Sequence, residues 1–337
     1  MSSLSPAPPQ WTSAPVQPAD EAAALASLVL VSYQGTVDLL SIGAGPDGME
    51  PPPRRRRLTP PGAASPADGR LDDLAGDGAI HDAIASAAGP PVIVSVKGGS
   101  GRSRVFVKDP ADAEAVLVNH TDAGGIYVRA RVVRPRVPAP APQRPPIAAL
   151  RIASGTTSPV LFAAASSGSY AAPTVLPRAG TETPSDVRLL RLGQGYLLLT
   201  KTRLSFAEDD PEPPERPVAG DVTIPLGDLY ATVLDAAYAP VGASTKILGD
   251  SPIYEFDADV RADRITILAT TTDGAALIDA PVAGDALAAI PQTRIKWPRP
   301  LAAPAVHVAG DRVYLAMIES PATDRARVLT ASLAPNR

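Results

Sequence analysis

Residues 187–206 read Val-Arg-Leu-Leu-Arg-Leu-Gly-Gln-Gly-Tyr-Leu-Leu-Leu-Thr-Lys-Thr-Arg-Leu-Ser-Phe. An apolar run from Val187 to Leu192 meets the short segment Gly193-Gln194-Gly195, and a second apolar run begins at Tyr196. Glycine tolerates the positive φ that tight hairpin turns require. The stretch therefore predicts a β-hairpin that continues into a meander.

Looser copies of this unit recur along the chain. Aligned on one apolar run of each copy, they begin at Val29, Val92, Ile126, Val160, Tyr196, Leu229, Ile265 and Val313. Five of the seven intervals lie between 33 and 36 residues. Repeated meanders that cannot bury both faces alone are typical of a β-propeller. We therefore predict an all-β protein, a β-propeller of six or seven blades. The alternative is two β-sandwich or barrel domains that divide near Pro135–Pro146.

The composition excludes several classes of protein. The 337 residues include 39 prolines and no cysteine, and the net charge is −4. Prolines between apolar runs favour short strands joined by loops. The lack of cysteine excludes disulfides, thiol catalysis and thiolate metal sites. A nearly balanced, slightly acidic chain lacks the basic surface of a nucleic-acid binder, so we expect no nucleic-acid partner.

Proline distribution suggests the domain organisation. Residues 1–20 are rich in proline and serine and are predicted to form a flexible arm. Residues 21–337 are predicted to form a single β-propeller domain, with a Pro/Arg-rich insertion at 43–78. No Sec-type signal is recognisable, and the apolar run from Ala22 to Val31 is too short to span a bilayer. We expect a soluble protein without membrane insertion, cytoplasmic by default, with non-Sec export or association with a particle left open.

Four adjacent arginines, Arg54, Arg55, Arg56 and Arg57, follow three prolines inside the predicted insertion. Like charges at this density repel one another and extend the chain. We interpret the run as part of an exposed loop and name these four residues as the candidate contact for a protein partner. No aromatic residues interleave with them, which argues against a groove for nucleic acid.

The loop from Lys97 to Ser103 resembles the deviant Walker A motif of the ParA/MinD ATPase family, Lys-Gly-Gly-x-Gly-Lys-Ser/Thr. A phosphate-binding loop needs a lysine that reaches the phosphates and a helix that follows the loop. Here Arg102 replaces the lysine, and the residues after Ser103 have the pattern of a strand. We interpret the loop as a glycine-rich hairpin turn and assign no cofactor.

Two acidic clusters have the residue type, though not the pattern, of metal sites. One contains Asp257, Asp259 and Asp263, and the other contains Asp68, Asp72, Asp73 and Asp77. The first lacks the glycine of a calcium-binding loop and suits the solvent face of a strand, and the second matches no EF-hand spacing. We therefore assign no metal site.

The three histidines, His81, His120 and His307, stand far apart and match no zinc-binding pattern. Sequence separation does not exclude a catalytic triad, but the nucleophile elbow Gly-x-Ser-x-Gly is absent. We expect these histidines to have structural roles and assign no catalytic residue.

Over residues ~25–333, the spacing of the meanders resembles the β-propeller superfold, loosely the sialidase-like and other six- or seven-bladed groups. The chain lacks the Gly-His…Trp-Asp pair of WD40 repeats and the Asp-box pattern Ser-x-Asp-x-Gly-x-x-Trp. Its two tryptophans are Trp11 and Trp297.

From these absences we expect a non-enzymatic binding or scaffolding module that acts through protein–protein interaction, with membership of a larger assembly as one version. The alternative is a propeller-type glycosidase or lyase whose carboxylates and arginines come from different blades. Three or more inward arginines paired with acids in the central channel would favour the enzyme. A channel lined by small apolar residues would exclude it.

Overall fold

The computed structural model of the protein describes residues 9–15, 24–33, 36–44, 54–58, 69–70, 79–84, 91–99, 102–110, 112–120, 125–134, 144–165, 168–180, 182–204, 216–219, 222–249, 251–261, 264–281, 292–319 and 326–333. Regular structure in these ranges consists of β-strands. Among the described residues we find no helix with the length and apolar character needed to span a bilayer.

The strands form six four-stranded antiparallel sheets, which are the blades of a six-bladed β-propeller. Blade 1 consists of β2 (Ala24–Tyr33), β3 (Thr36–Ala44), β4 (Arg54–Leu58) and β5 (Gly69–Arg70). Blade 2 consists of β6 (Ala79–Ile84), β7 (Val92–Gly99), β8 (Arg102–Lys108) and β9 (Val116–Leu117). Blade 3 consists of β10 (Ile126–Val132), β11 (Ile147–Ala153), β12 (Thr156–Phe162) and β13 (Thr174–Val175).

Blade 4 carries an extra two-stranded hairpin, and blade 6 takes its outer strand from the start of the chain. Blade 4 consists of β14 (Pro184–Leu192), β15 (Gly195–Thr202), β18 (Leu229–Leu234) and β19 (Thr245–Ile247). Blade 5 consists of β20 (Ile253–Arg261), β21 (Arg264–Thr271), β22 (Gly274–Pro281) and β23 (Thr293–Lys296). Blade 6 consists of β24 (Leu301–Ala309), β25 (Arg312–Glu319), β26 (Arg327–Leu333) and β1 (Thr12–Pro15). The extra hairpin consists of β16 (Arg216–Ala219) and β17 (Val222–Ile224).

The first strand of each blade lies innermost. These six strands, β2, β6, β10, β14, β20 and β24, contact one another in sequence, and β24 also contacts β2, which closes the ring. β1 pairs antiparallel with β26, so blade 6 contains strands from both ends of the chain. The ring surrounds the central channel that holds the candidate site.

The six largest apolar clusters of the described residues form the core, one between each pair of neighbouring blades. Leu28 and Leu30 face blade 6, whereas Val29 and Val31 on the same strand face blade 2. Because both faces of a blade are covered, strands such as β2 and β7 carry consecutive apolar residues rather than an alternation of apolar and polar ones. This explains the continuous apolar runs in the sequence.

The hairpin predicted for residues 187–206 is confirmed. β14 pairs with β15, and the pair Leu192–Gly195 encloses a turn of two residues, Gly193 and Gln194. Gly193 has a φ of 48°, the positive value that a type II′ turn needs at its first central position. β7 and β8, on either side of the glycine-rich loop, pair antiparallel with Lys97 opposite Arg104, so strand rather than helix follows the loop.

The predicted propeller is correct, but the predicted period is not the length of a blade. The inner strands begin at residues 24, 79, 126, 184, 253 and 301, so the intervals run from 47 to 69 residues. The aligned apolar runs are first, second and third strands of different blades; Ile126 lies in β10, Tyr196 in β15 and Val160 in β12. Apolar runs that are buried on both faces look alike at every position in a blade.

Strands are present within two segments that the sequence predicts to be irregular. Thr12–Pro15, within the predicted arm, forms β1, and the predicted insertion at 43–78 contains β4 and β5. In both cases a neighbouring strand supplies the hydrogen-bonding partner, which proline content alone does not reveal. The domain boundaries themselves remain a prediction.

Deleting residues 1–15 tests the role of β1. The deletion removes the pairing with β26 and the partly buried Trp11, which packs against the cluster between blades 5 and 6. At roughly 2–4 °C per kcal/mol for a large domain, we expect the midpoint of thermal unfolding to fall by about 5 °C or more. Deleting residues 1–8 is the matched control and should leave the midpoint unchanged. Equal midpoints for the two deletions would contradict a stabilising role for β1.

Candidate functional site

Each of the six inner strands has a shift in its pairing register. The shifts lie at Leu25/Ser27, Ile80/Asp82, Val128/Arg131, Pro184/Asp186, Ile253/Glu255 and Ala302/Ala305. A β-bulge bends a strand and redirects its side chains, and bulges are frequent beside active sites. In four blades the residue that follows the bulge is charged: Asp82, Arg131, Asp186 and Glu255.

Arg188 lies in the channel and connects three blades. Its Nη1 donates to Asp82 Oδ2 at 2.6 Å, and its Nε donates to Asp257 Oδ1 at 2.8 Å, with Nη2 also bonded to Asp257. The side chain is 1% exposed. Burial opposes a charged guanidinium, but Asp257 and Asp82 outweigh this effect and raise the pKa of Arg188 above its ordinary value. Arg188 is therefore permanently charged and fully committed to these acids.

Two further arginines complete this network. Arg134 Nη2 donates to Asp82 Oδ1 at 2.6 Å, and its Nη1 donates to the carbonyl of Val306 at 2.8 Å. Arg131 donates to Asp186 Oδ2 at 2.9 Å and to Asp257 Oδ1 at 3.2 Å. We call the group Asp82, Arg131, Arg134, Arg188 and Asp257 the ionic plug, because its ion pairs span the channel and all five residues line the floor of the pocket.

The acids of the channel also bind backbone amides of the neighbouring blade. On β20, Glu255 Oε2 accepts from the amide of Ala303, and Asp257 Oδ2 accepts from that of Val306, both at 2.8 Å. On β6, Asp82 Oδ2 accepts from the amide of Val132 at 2.9 Å. These bonds join inner strands that share no backbone ladder, so the channel acids have a structural role as well as a charge.

Asp82 is saturated with donors. Both of its oxygens accept from an arginine and from a backbone amide. Burial alone would raise the pKa of its carboxyl, but Arg134 and Arg188 outweigh burial and lower the pKa to about 2. Asp82 stays ionised at neutral pH and does not exchange a proton there.

A cavity of about 200 Å³ opens above the plug. Its wall uses the first half of four inner strands, at residues 27–29, 80–82, 255–257 and 303–304, so it lies at the end of the channel where these strands begin. Pockets for drug-sized ligands occupy roughly 300–1,000 Å³. This smaller cavity, lined largely by charged side chains, is suited to a compact hydrophilic group.

Three wall residues have polar atoms that are less committed than those of the plug, and we call them the mouth cluster: His81, Arg129 and Glu255. Glu255 Oε1 faces Arg129 Nη1 at 3.8 Å, beyond hydrogen-bond distance. The Arg129 side chain is 37% exposed, and its backbone is in the left-handed region with a φ of 54°. Strained backbone of this kind is concentrated at functional sites. Here it accompanies the bulge that directs Arg129 to the pocket.

His81 is partly exposed and lies in a positive environment. Burial, Arg129 and Arg131 together lower the pKa of its imidazole to about 4, although Asp186 and Asp82 oppose the shift. His81 is therefore neutral at pH 7 and has a nitrogen lone pair that can accept a proton.

Lys201 lies behind the mouth cluster on β15. Burial lowers the pKa of its ammonium to about 8, with Asp186 opposing and Arg129 adding to the shift. Its Nζ donates to the carbonyl of Pro225 at 2.7 Å. Gly227 permits this arrangement, since a Cβ there would lie 1.7 Å from the carbonyl oxygen of Thr202.

The β16–β17 hairpin leaves blade 4 at the pocket end of the channel, because β15 ends where β14 begins. β16 contacts β2 of blade 1, which lies across the ring from blade 4. The hairpin therefore extends across the end of the channel where the pocket lies.

The candidate residues predicted from the sequence lie at several different positions. Arg54–Arg57 form β4 of blade 1, where Arg57 Nε lies 3.5 Å from Asp38 Oδ1. Their contact with a protein partner stays a prediction. Five of the predicted acids lie outside the described residues: Asp68, Asp72, Asp73, Asp77 and Asp263. Within the described residues, no group of three or more acids or histidines could hold a metal ion.

The expectation that Asp257 and Asp259 lie on a solvent face is wrong, because both are about 4% exposed and bind channel partners. His81 and His307 lie on inner strands, and His120 is exposed beyond β9.

Sequence reasoning misses the channel residues for an identifiable reason. The pattern of Asp77–Ala87 suggests a short helical turn, yet residues 79–84 form β6 and supply His81 and Asp82. Arg188 lies in a stretch that has the pattern of an ordinary hairpin. The available signal is a charged residue inside an otherwise apolar first strand of a blade, which a buried strand tolerates only when partners neutralise the charge.

No family model and no curated protein matches this chain. Solved structures do resemble it. An α-L-arabinanase from Penicillium chrysogenum, complexed with arabinobiose, has a TM-score of 0.59 and 10% identity, covering 96% of this chain and 98% of that one. A subtype N10 neuraminidase-like protein of A/little yellow-shouldered bat/Guatemala has a TM-score of 0.50 and 8% identity, covering 96% and 98%.

A mutant of Trypanosoma rangeli sialidase displaying trans-sialidase activity has a TM-score of 0.52 and 8% identity, covering 98% of this chain and 60% of that one. Identities this low establish the fold alone. The expectation of a non-enzymatic binding or scaffolding module is wrong: the channel holds four arginines paired with acids, which meets the criterion given above for the alternative. What the chain shares with these structures is its fold, that of a six-bladed β-propeller.

Proposed function

We propose that this protein is a carbohydrate-active enzyme that cleaves a glycosidic bond in the pocket above the ionic plug. The observation that carries the proposal is the contrast between the plug and the mouth cluster. Charged groups of the plug already bind several partners, whereas Glu255 Oε1, His81 and Arg129 face the cavity and can form hydrogen bonds to a ligand there. The similarity of the fold to an arabinanase and a sialidase supports this assignment.

Glu255 is the residue to which we assign proton exchange with the leaving group. A carboxyl group that transfers a proton needs an oxygen that is not held by strong donors. Asp82 and Asp257 each accept from arginines and a backbone amide. Glu255 Oε2 accepts from the amide of Ala303, which orients the group and leaves Oε1 for the substrate.

His81 is assigned as the base. As a neutral imidazole it can take a proton from a water molecule that attacks the sugar, while Glu255 protonates the departing oxygen. Glycosidases usually employ two carboxyl groups for these roles. Here the other carboxylates of the pocket wall, Asp82 and Asp257, are each paired with arginines of the plug. The imidazole of His81 is therefore the available base.

Arg129 is assigned to substrate binding. Its side chain is more exposed than those of Arg131, Arg134 and Arg188, and Asp186 and Glu255 outweigh the effect of burial and raise its pKa above the ordinary value. A guanidinium fork matches a carboxylate in geometry and charge. The substrate class that suits this pocket is therefore a glycan with an acidic sugar.

A second reaction, β-elimination, is favoured by the pairing of His81 with Arg129. A lyase neutralises the carboxylate of a uronic acid, which acidifies the neighbouring C5–H bond, and a neutral base then removes that proton. The C4–O bond to the leaving sugar breaks as the double bond forms, and the departing oxygen takes a proton from an acid, the role assigned above to Glu255. The two reactions differ in their products, because elimination leaves an unsaturated sugar that absorbs ultraviolet light and hydrolysis does not.

Glu255→Gln tests the assigned acid. We expect wild-type protein to release nitrophenol from a member of a panel of neutral and acidic aryl glycosides, and the variant to lower kcat by about 10²–10⁴-fold. The loss should be smaller for a dinitrophenyl glycoside, whose leaving group needs no protonation. Glu114→Gln, at an exposed carboxylate, is the matched control. Failure to cleave any aryl glycoside or mixed acidic polysaccharide, or a variant as fast as wild type, would overturn the proposal.

Arg129→Ala tests recognition of the acidic sugar. A charge-assisted hydrogen bond contributes about 1.5–3 kcal/mol, so we expect KM for a uronic-acid glycoside to rise roughly 10- to 100-fold. For the matching neutral glycoside, KM should change little. Arg104→Ala, at an exposed arginine of β8, is the control. An equal rise in KM for both glycosides would show that Arg129 does not select the charge.

The pH dependence of kcat/KM tests His81. A base must be deprotonated to act, so activity should fall as the pH drops through the pKa of His81, about 4, and not near the ordinary histidine value of 6.5. His81→Gln should reduce kcat and abolish this acid limb. An acid limb that is unchanged in the variant would assign it to another group.

A further inference from the structure

Three polar side chains meet between blades 1, 5 and 6, away from the pocket. Ser32 Oγ lies 2.6 Å from His307 Nε2, and His307 Nδ1 lies 3.5 Å from Asp259 Oδ2. The three residues come from the second halves of β2, β24 and β20, whereas the pocket uses the first halves. They therefore lie towards the opposite end of the channel, and none of them lines the pocket.

The surroundings of Asp259 determine the tautomer of His307. Asp259 Oδ1 accepts from the amide of Val260 and Oδ2 from that of Val308, both at 2.8 Å. Burial would raise the pKa of Asp259, but the bond to His307 and the charge of Arg134 outweigh it and lower the pKa. An ionised carboxylate only accepts hydrogen bonds, so the ring nitrogen that faces it, Nδ1, carries the proton. Nε2 then has the lone pair and accepts the hydroxyl of Ser32.

The histidine is held in this orientation. His307 is 7% exposed and lies between Val306 and Val308, whose amides bind Asp257 and Asp259. Ser32, in contrast, is partly exposed and within reach of solvent. A serine bonded to a histidine that a buried carboxylate orients is the arrangement that activates a hydroxyl nucleophile, and the histidine–carboxylate distance is often longer without substrate.

We propose that Ser32, His307 and Asp259 form a second active site, which transfers an acyl group from a small ester to Ser32 and then to water. Ser32 Oγ bonds to the ester carbonyl carbon while its proton moves to His307 Nε2. The bond from that carbon to the alcohol oxygen breaks, and the alcohol leaves with the proton from His307. Water repeats the sequence and releases the acid. This chemistry is independent of the glycoside cleavage proposed above.

A fluorophosphonate probe tests the site on the full chain. Ser32 Oγ should displace fluoride from phosphorus, and mass spectrometry should find one adduct, located on Ser32 by peptide mapping. Ser32→Ala should abolish the adduct. Ser244→Ala, at a partly buried serine whose hydroxyl binds Thr232 without a histidine, should label like wild type.

His307→Gln removes the base and keeps a polar side chain. We expect its labelling rate to fall by about 100-fold or more, the usual contribution of general base catalysis. Its thermal unfolding midpoint is measured alongside, and peptide mapping of the wild-type protein decides the question if this variant does not fold. No adduct, an adduct on another residue, or equal labelling of Ser32→Ala would overturn the proposal. Each of these outcomes is separate from cleavage of aryl glycosides.

Discussion

The buried guanidinium of Arg188 is the interaction on which the centre of the propeller depends. It joins Asp82 of blade 2 to Asp257 of blade 5 from its own position on blade 4. Removing one partner of such a pair leaves a buried charge and destabilises a protein by about 3–5 kcal/mol. Arg134 and Arg131 extend the same network to blades 3 and 6. The apolar clusters hold adjacent blades together, but this network is the part that spans the channel and fixes the floor of the pocket.

The β-bulges of the inner strands direct the side chains that form the site into the channel. An inner strand that is covered on both faces has little place for charge, and a bulge redirects one side chain toward the axis. Because all six inner strands carry a bulge, each blade presents a residue at a similar position in the ring, and the residues differ from blade to blade. The small residues Ser27 and Ala303 line the pocket beside Glu255 and Arg131. The pocket is the consequence of this mixture of large charged and small side chains.

The sequence was sufficient for the architecture because the hairpin at residues 187–206 depends on local turn chemistry and apolar runs. It was insufficient for the length of a blade, since apolar strands such as β12 and β15 look alike when both faces are buried. It was insufficient for the site, because Arg188 is 106 residues from Asp82 and 69 from Asp257, and the three become partners only when the ring closes. Charged residues inside apolar strands were the available signal, but choosing their partners requires the order of the blades.

The pairing of β1 with β26 has a consequence for how the molecule is made. Ala14 pairs with Val328, so β1 is made early and has no partner until β26 has been synthesised. Contacts between residues so distant in sequence form slowly, because the loop must close before the contact stabilises it. In the part of the chain that the structure describes, each of blades 1 to 5 is built from consecutive strands, so these blades can fold in order as they emerge. The final step of folding is then a ring closure, and until that step the exposed edge of β26 is open to pairing with another chain.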